Sequence, residues 1–175
     1  SGAIERGHKA VFICYNNEAY MNTGNQRSSA TTLGASTKTT PTGKKESAKN
    51  IDFMLLHTPL VYQATASVGN IPDFKRKLKK ASTKDGPCFI HVLAPCPSGW
   101  KFPTDQTIEV AKLAVKSGAW LQFEREDGSS STSISMGRSA SEGSRRKSGS
   151  ALLRRRRGAM RRFAALQSSI ALYNS

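Results

Sequence analysis

Two short stretches hold the residue types that could do chemistry. The first runs Tyr15-Asn16-Asn17-Glu18-Ala19-Tyr20-Met21-Asn22-Thr23-Gly24-Asn25-Gln26-Arg27-Ser28-Ser29-Ala30-Thr31. It is dense in amide oxygens, hydroxyls and turn carbonyls. Such hard oxygens suit Mg²⁺, which takes a few protein ligands and fills its remaining positions with water or phosphate oxygens. An ordinary polar loop has the same composition, so the residue types alone leave both readings open. The second stretch is Ala94-Pro95-Cys96-Pro97-Ser98-Gly99-Trp100. A proline on each side presets the backbone around Cys96. A thiolate there could ligate iron in a [4Fe–4S] cluster, which takes four. A lone Cys can equally be a packed, inert thiol. Elsewhere the candidates are plainer. His91 lies in an apolar run and reads as a packed core histidine, His57 falls at a helix end, and His8 at a surface turn. Lys44, Lys45 and the basic run over 75–80 read as solvated faces. There is no Ser-His-Asp arrangement, and Thr42-Gly43-Lys44 lacks the earlier glycine that a P-loop requires.

The elements that must position these stretches alternate. Residues 11–15 (Val-Phe-Ile-Cys-Tyr) are apolar and β-rich, which predicts a buried strand entered from the end of a helix that stops at Gly7. A long polar loop over 16–50 follows, and loops of that length in compact domains are functional or disordered. A short helix is predicted over 48–57 and a second strand over 61–66. Asn70 caps a helix over 72–81, with Phe74, Leu78 and Ala81 facing inward. A third strand covers 87–93. Thr104 opens an amphipathic helix that ends at Gly118, with Ile108, Ala111, Leu113, Ala114 and Val115 inside. A fourth strand over 120–126 ends at the turn signal Asp127-Gly128. This order predicts an α/β fold, a mainly parallel sheet with helices on both faces. Ligands in such sheets bind beyond the carboxyl ends of the strands. Both chemistry-bearing stretches fall there, after the first and third strands.

The chain has 175 residues, 37% hydrophobic and 22% charged, with a formal net charge of +15. Residues 129–175 carry ten basic residues and one acid, so residues 1–128 carry 17 basic and 11 acidic, or +6. The basic excess therefore sits mostly in a Ser/Arg-rich tail. That tail reads as a disordered segment, as a nucleic-acid-binding arm carried by 145–162, or as non-native sequence from a shifted reading frame. The expected division is a folded unit over 1–128 and this tail over 129–175. Three cysteines at 14, 88 and 96 exclude a paired disulfide scaffold and fit a reducing compartment. Cys14 and Cys88 lie in apolar runs and read as core. No apolar run approaches a membrane span. The sequence opens with neither a secretory leader nor Met, so the expectation is a cytoplasmic protein and a piece of a longer chain.

Over residues 2–126 the sequence resembles the C-terminal part of the β subunit of pyruvate:ferredoxin oxidoreductase and related 2-oxoacid:ferredoxin oxidoreductases. The resemblance rests on YNNEAYMNTGNQRSSAT, TTPTGKK and HVLAPCPSGW. It implies part of a thiamine-diphosphate-binding fold. By the family pattern Asn17 gives a side-chain oxygen and Ala19 a backbone carbonyl to Mg²⁺. Tyr20, Asn22 and Thr23 join Asn17 and Ala19 at the cofactor, with Asn22 at the reacting end. Cys96 becomes a ligand of a [4Fe–4S] cluster. The family motif opens with Gly-Asp-Gly and supplies its other cluster ligands, including a C-x-x-C pair, from a part that this sequence lacks. The implied reaction is oxidative decarboxylation of pyruvate or a related 2-oxoacid to an acyl-coenzyme A, with ferredoxin reduced. The implied partners are α-, γ- and δ-type subunits, ferredoxin, pyruvate and coenzyme A, with no membrane and no nucleic acid. Two alternatives stand beside it: an inactive fragment of the same fold, inactive when alone, and a basic nucleic-acid-binding protein.

Overall fold

The computed structural model describes residues 2–126 and the backbone of 133–135. In chain order the elements are α1 (Gly2–Glu5), β1 (Val11–Asn16), α2 (Ile51–Met54) extended by a 3₁₀ turn (Leu55–His57), β2 (Tyr62–Ser67), α3 (Ile71–Ser82), β3 (Cys88–Leu93), α4 (Pro97–Trp100), a 3₁₀ turn (Thr104–Gln106), α5 (Thr107–Lys116), β4 (Gln122–Glu126) and β5 (Ser133–Ser135). They build one sheet in the order β1-β3-β2-β4-β5. β3 is parallel to both β1 and β2. β4 runs antiparallel to β2, and β5 antiparallel to β4. The sheet is therefore mixed, where a mainly parallel one was expected. Residue patterning reports which face a strand buries but not which way it runs. Here α5 returns the chain to the end of the sheet that β3 had left, so β4 descends. Thr65 marks the junction: its hydroxyl donates to the Leu121 carbonyl at 2.7 Å and accepts from the Phe123 N–H at 2.9 Å.

Helices cover both faces. On one, Phe74, Leu78 and Ala81 of α3 pack on Tyr62, Ala64, Ala66, Cys88, Ile90 and Val92. On the other, Ile4 of α1 and Ile51 and Leu55 pack on Phe12, Cys14 and Phe89, while Val110 and Ala114 of α5 join Leu93, Trp100, Phe102 and Trp120. β2 and β3 are buried along their whole length, as central strands sandwiched by helices must be. Asn70 caps α3 as expected, its side chain accepting from the Asp73 N–H at 3.2 Å.

Burial departs from the pattern in four places. β1 lies at the sheet edge and is half-exposed, so its apolar run is not a buried strand in this chain. Ile108 and Leu113 of α5 face outward, because Val110, Ala111 and Ala114 supply its packed stripe. Lys44 and Lys77 are buried rather than solvated. The Lys77 ammonium donates to the Thr65 carbonyl at 2.8 Å and pairs with Asp73 at 2.5 Å. Two basic residues of α3 are paired across to β4: Arg76 bridges Asp73 and Glu124, and Lys80 reaches Glu124 and Glu126.

Among the described residues no helix is long and apolar enough to cross a membrane. β5 falls within the stretch read as a tail, and its backbone extends the sheet there. The remaining expectations for 127–175, including the Asp127-Gly128 turn and the arginine-rich arm, lie outside the described residues.

Candidate functional site

β1 and β3 run side by side in register, with Asn16 beside Leu93. Their carboxyl ends therefore release the two chemistry-bearing stretches at one end of the sheet. The first turn after β1 is held by side-chain amides. Asn16 Oδ1 accepts from the Glu18 N–H at 2.8 Å, and Asn17 Oδ1 from the Ala19 N–H at 3.4 Å. Glu18 sits at φ 70°, a left-handed conformation that costs a non-glycine residue about 1 kcal/mol or more. Three hydroxyls hold it there. Its carbonyl accepts from Thr31 at 2.6 Å and from Ser28 at 3.4 Å, and its carboxyl accepts from Thr32 at 2.8 Å. Burial pushes the Glu18 carboxyl up to about 7, against the Thr32 hydrogen bond and the nearby His91, which both lower it.

Beyond this turn, Tyr20 and Gln26 exchange backbone hydrogen bonds at 3.0 and 2.9 Å, closing a small hairpin. Asn22 and Thr23 are at its exposed tip. Met21 turns inward and packs against the Leu93–Trp100–Trp120 cluster. The far side of the long loop is fastened by Lys44, 3% exposed, whose ammonium donates to the carbonyls of Thr31, Ser29 and Ser28 at 2.7, 3.0 and 3.3 Å.

The second stretch closes onto the first. The Trp100 indole N–H donates to the Asn17 carbonyl at 2.9 Å. The Asn25 amide donates to the Gly99 carbonyl at 3.3 Å. A Cβ at Gly99 would lie 1.8 Å from the Met21 sulfur, so a side chain there requires Met21 to move. Cys96 precedes α4 and is partly buried, its sulfur 3.2 Å from the Ser98 hydroxyl. Burial opposes its ionisation, but the Ser98 hydroxyl and the backbone N–H groups of Gly99 and Ser98 outweigh that and hold the thiol below its ordinary value. The other two thiols differ. Burial and the Asp52 carboxylate push Cys14 up, and Cys88 is fully buried with its sulfur 3.5 Å from the Ala81 carbonyl. Cys88 is a core residue, as its apolar run suggested, whereas Cys14 is only half-buried, because β1 lies at the sheet edge.

Under the Asn17–Glu18 turn is a cleft of about 50 Å³ lined by Asn16, Glu18, Thr32, Asp52, His91 and Trp120, among others. His91 is buried, 2.9 Å from Asp52 through Nδ1, with its ring against Trp120. It is the packed histidine its strand predicted, but its acid partner was not foreseen. Lys44, Thr31, Thr32 and Asp52 were also missed as supports of the site. Lys44, Thr31 and Thr32 act within the long loop and Asp52 reaches across to β3, and hydrophobic period carries no signal for either.

The donors present suit the two inorganic groups in part. Asn17 Oδ1 and the Ala19 carbonyl are hard oxygens two residues apart, and the Ala19 carbonyl accepts no hydrogen bond among the described residues. They fit two positions of an octahedral Mg²⁺. Cys96 fits one corner of a cluster. Among the described residues no group of three or more His, Cys, Asp or Glu side chains could hold a metal.

Residues 1–92 match the model of the thiamine pyrophosphate enzyme C-terminal TPP-binding domain. The chain is 47% identical over 133 residues to pyruvate synthase subunit PorB of Methanothermobacter thermautotrophicus, covering 73% of this chain and 46% of that protein. It is 54% identical over 134 residues to ketoisovalerate oxidoreductase subunit VorB of Pyrococcus horikoshii, covering 73% and 43%. The chain thus spans less than half the length of these curated relatives. Its fold matches a 2-oxoglutarate:ferredoxin oxidoreductase from Magnetococcus marinus with a TM-score of 0.54 at 22% identity, over 62% of this chain and 36% of that one. The chain, through residues 1–92 and with them the loop after β1, thus belongs to the thiamine pyrophosphate enzyme family by its C-terminal TPP-binding domain, and it is similar to the PorB and VorB subunits of 2-oxoacid oxidoreductases.

Proposed function

We propose that this chain forms the magnesium- and cluster-facing part of a β subunit that oxidatively decarboxylates a 2-oxoacid to an acyl-coenzyme A and passes the electrons to ferredoxin. It works in a cytoplasmic complex with α-, γ- and δ-type subunits, and the chain alone is inactive. The observation that carries this reading is the direct link between the two loops, Trp100 to Asn17 and Asn25 to Gly99. An oxygen-rich cation loop and a thiol of lowered pKa are fixed to one another as a unit, which suits coupled carbon and electron chemistry.

When bound, thiamine diphosphate supplies the electron sink for decarboxylation. The chain's own residues do the rest. Asn17 Oδ1 and the Ala19 carbonyl would hold Mg²⁺, which would neutralise charge on the cofactor's phosphates. Tyr20 and Thr23 would contact the cofactor, and Asn22, at the hairpin tip, would orient the substrate end. Cys96 gives one thiolate to a [4Fe–4S] cluster, the other ligands coming from outside the described residues. Glu18 and its hydroxyl partners hold the turn that sets the two oxygens.

Pyruvate is the substrate first proposed. A branched 2-oxoacid is the second reading, favoured by the identity of 52–54% to three VorB subunits against 46–49% to five PorB subunits. The test uses the assembled complex. Asn17→Ala should weaken thiamine diphosphate binding at least about tenfold with folding retained, the scale of one lost metal ligand. Unchanged cofactor affinity would remove Asn17 from the site. Comparing kcat/KM for pyruvate and 2-oxoisovalerate decides the substrate.

A further inference from the structure

Lys38 lies against the hairpin that carries Asn22 and Thr23 at its tip, and the proposed chemistry gives it no part. Its backbone N–H donates to the Asn25 carbonyl at 3.0 Å, and the Arg27 N–H donates to the Thr39 hydroxyl at 2.9 Å. The turn around Lys38 is itself tied. Thr37 and Thr40 exchange backbone hydrogen bonds at 3.2 and 3.1 Å, and their hydroxyls lie 2.8 Å apart. Asn25 also donates its side-chain amide to the Gly99 carbonyl. The segment bearing Lys38 is therefore fixed to the hairpin and, through Asn25, to the thiol loop. Gly24 gives the lysine its path. A Cβ on Gly24, which sits at φ 104°, would lie 3.2 Å from the Lys38 ammonium nitrogen and 3.6 Å from its Cδ. With glycine there, the side chain lies along the hairpin and brings its charge to the residue next to Thr23.

The charges around it leave that ammonium unspent. The loop over 16–50 holds five basic residues and two acids. Glu18 is buried and bound by Thr32, and Glu46 pairs with Arg27 at 3.0 Å. Lys44 is held by three carbonyls. The Lys38 side chain is exposed, and among the described residues no carbonyl or carboxylate accepts from its ammonium. An ammonium has three donors and no acceptor, so what completes this one is an anion or a carbonyl. The substrates of the proposed reaction bring anions to this end of the sheet: a carboxylate on the 2-oxoacid and phosphates on coenzyme A.

We propose that Lys38 is a substrate-binding residue whose ammonium, held beside the hairpin tip by the Asn25 and Thr39 contacts, receives an anionic group of a substrate. The shared chemistry is a carboxylate or phosphate oxygen accepting from the ammonium, and the two sources are the 2-oxoacid and coenzyme A. The inference rests on the proposed function. It adds a binding charge to a site otherwise built from neutral oxygens and a thiol.

The test uses the assembled complex with Lys38→Met, Lys38→Arg and, as a control for net charge, Lys75→Met on the exposed side of α3. In Lys38→Met the KM for one substrate should rise about three- to tenfold with kcat retained, the scale of one partly exposed charged hydrogen bond. A rise for the 2-oxoacid assigns the carboxylate. A rise for coenzyme A, matched by weaker coenzyme A binding to the resting enzyme in equilibrium dialysis, assigns the phosphates. Lys38→Arg should stay near the parent, and the gap between parent and Lys38→Met should close in about 0.5 M KCl, where screening acts over only about 4 Å. Parental KM values for both substrates in an active Lys38→Met enzyme overturn the proposal alone. So does an equal rise in Lys75→Met, an arginine variant as impaired as the methionine one, or a gap that salt leaves unchanged. A parent complex that oxidises no 2-oxoacid overturns the functional reading, and this proposal with it.

Discussion

Trp100→Phe tests the link on which the functional reading stands. The indole N–H is the donor to the Asn17 carbonyl at 2.9 Å, and Trp100 is 7% exposed. Removing the donor loses a hydrogen bond and leaves a part-buried carbonyl without it. Together these cost about 2 kcal/mol. The same carbonyl belongs to the residue proposed to offer its side chain to Mg²⁺. If that energy holds the turn in its cofactor-ready form, thiamine diphosphate affinity in the assembled enzyme falls about 10- to 30-fold, at 1.4 kcal/mol per tenfold. Trp120→Phe is the control. Trp120 packs in the same cluster, but its buried indole nitrogen has no partner among the described residues. It loses similar packing and no hydrogen bond, so cofactor affinity should stay within about threefold of the parent. The assay is cofactor titration beside thermal unfolding of each variant. Equal affinity losses in the two variants, or a loss in neither, would refute a special role for the Trp100–Asn17 link.

Other predictions concern separate parts of the fold. Burial works against Glu124, but the Arg76 guanidinium and the Tyr62 hydroxyl outweigh it and hold its carboxyl down to about 2 from 4.5. The stabilisation is complete above about pH 4.5 and is lost as the pH falls toward 2. Glu124→Gln should therefore be less stable by about 2 kcal/mol at pH 7, after solvent screening of half-exposed Arg76, and the gap should close in acid; a gap that persists at pH 2 contradicts this. Lys44→Met strands three backbone carbonyls and should lower unfolding free energy by about 3 kcal/mol in a denaturant titration; a change under about 0.5 kcal/mol would show that the loop is fastened elsewhere. Cys96→Ser in the assembled enzyme should lower iron content and ferredoxin reduction more than decarboxylation, because a hydroxyl is a poor ligand for iron; parental iron content would return Cys96 to the role of a packed thiol.

Elements that act locally were legible in the sequence. Asn70 and Pro72 fix the start of α3, and Phe74, Leu78 and Ala81 mark its inner face, because capping and helical period depend on residues within a turn or two. Cys88 and His91 were placed in the core by the unbroken apolar run of β3. The two site loops were marked by residue type and by position after strands. What the sequence hid is set by neighbours far along the chain. An apolar run such as Val11–Tyr15 looks the same in a central strand and at an uncovered edge. A lysine such as Lys44 or Lys77 reads as solvated until the fold supplies carbonyls or a carboxylate around it. The direction of β4 depends on where α5 ends, not on its own residues. The pairing of Glu18 with Thr31 and Thr32 joins residues 13 and 14 apart within a loop that has no period at all.

The strand order has a consequence for how the protein is made. β3 is the last of the three parallel strands to leave the ribosome, yet it lies between the other two. Until it arrives, β1 and β2 have no shared partner. The link between Trp100 and Asn17 closes a loop of 83 residues, an entropic cost met only when β3 inserts and brings Asn16 beside Leu93. The loop after β1 has its own internal ties, but its junction with the thiol loop is a late product of folding. A nascent chain halted before β3 would offer the cell two open strands and nothing able to retain a cofactor, so thiamine loading must wait for the middle strand.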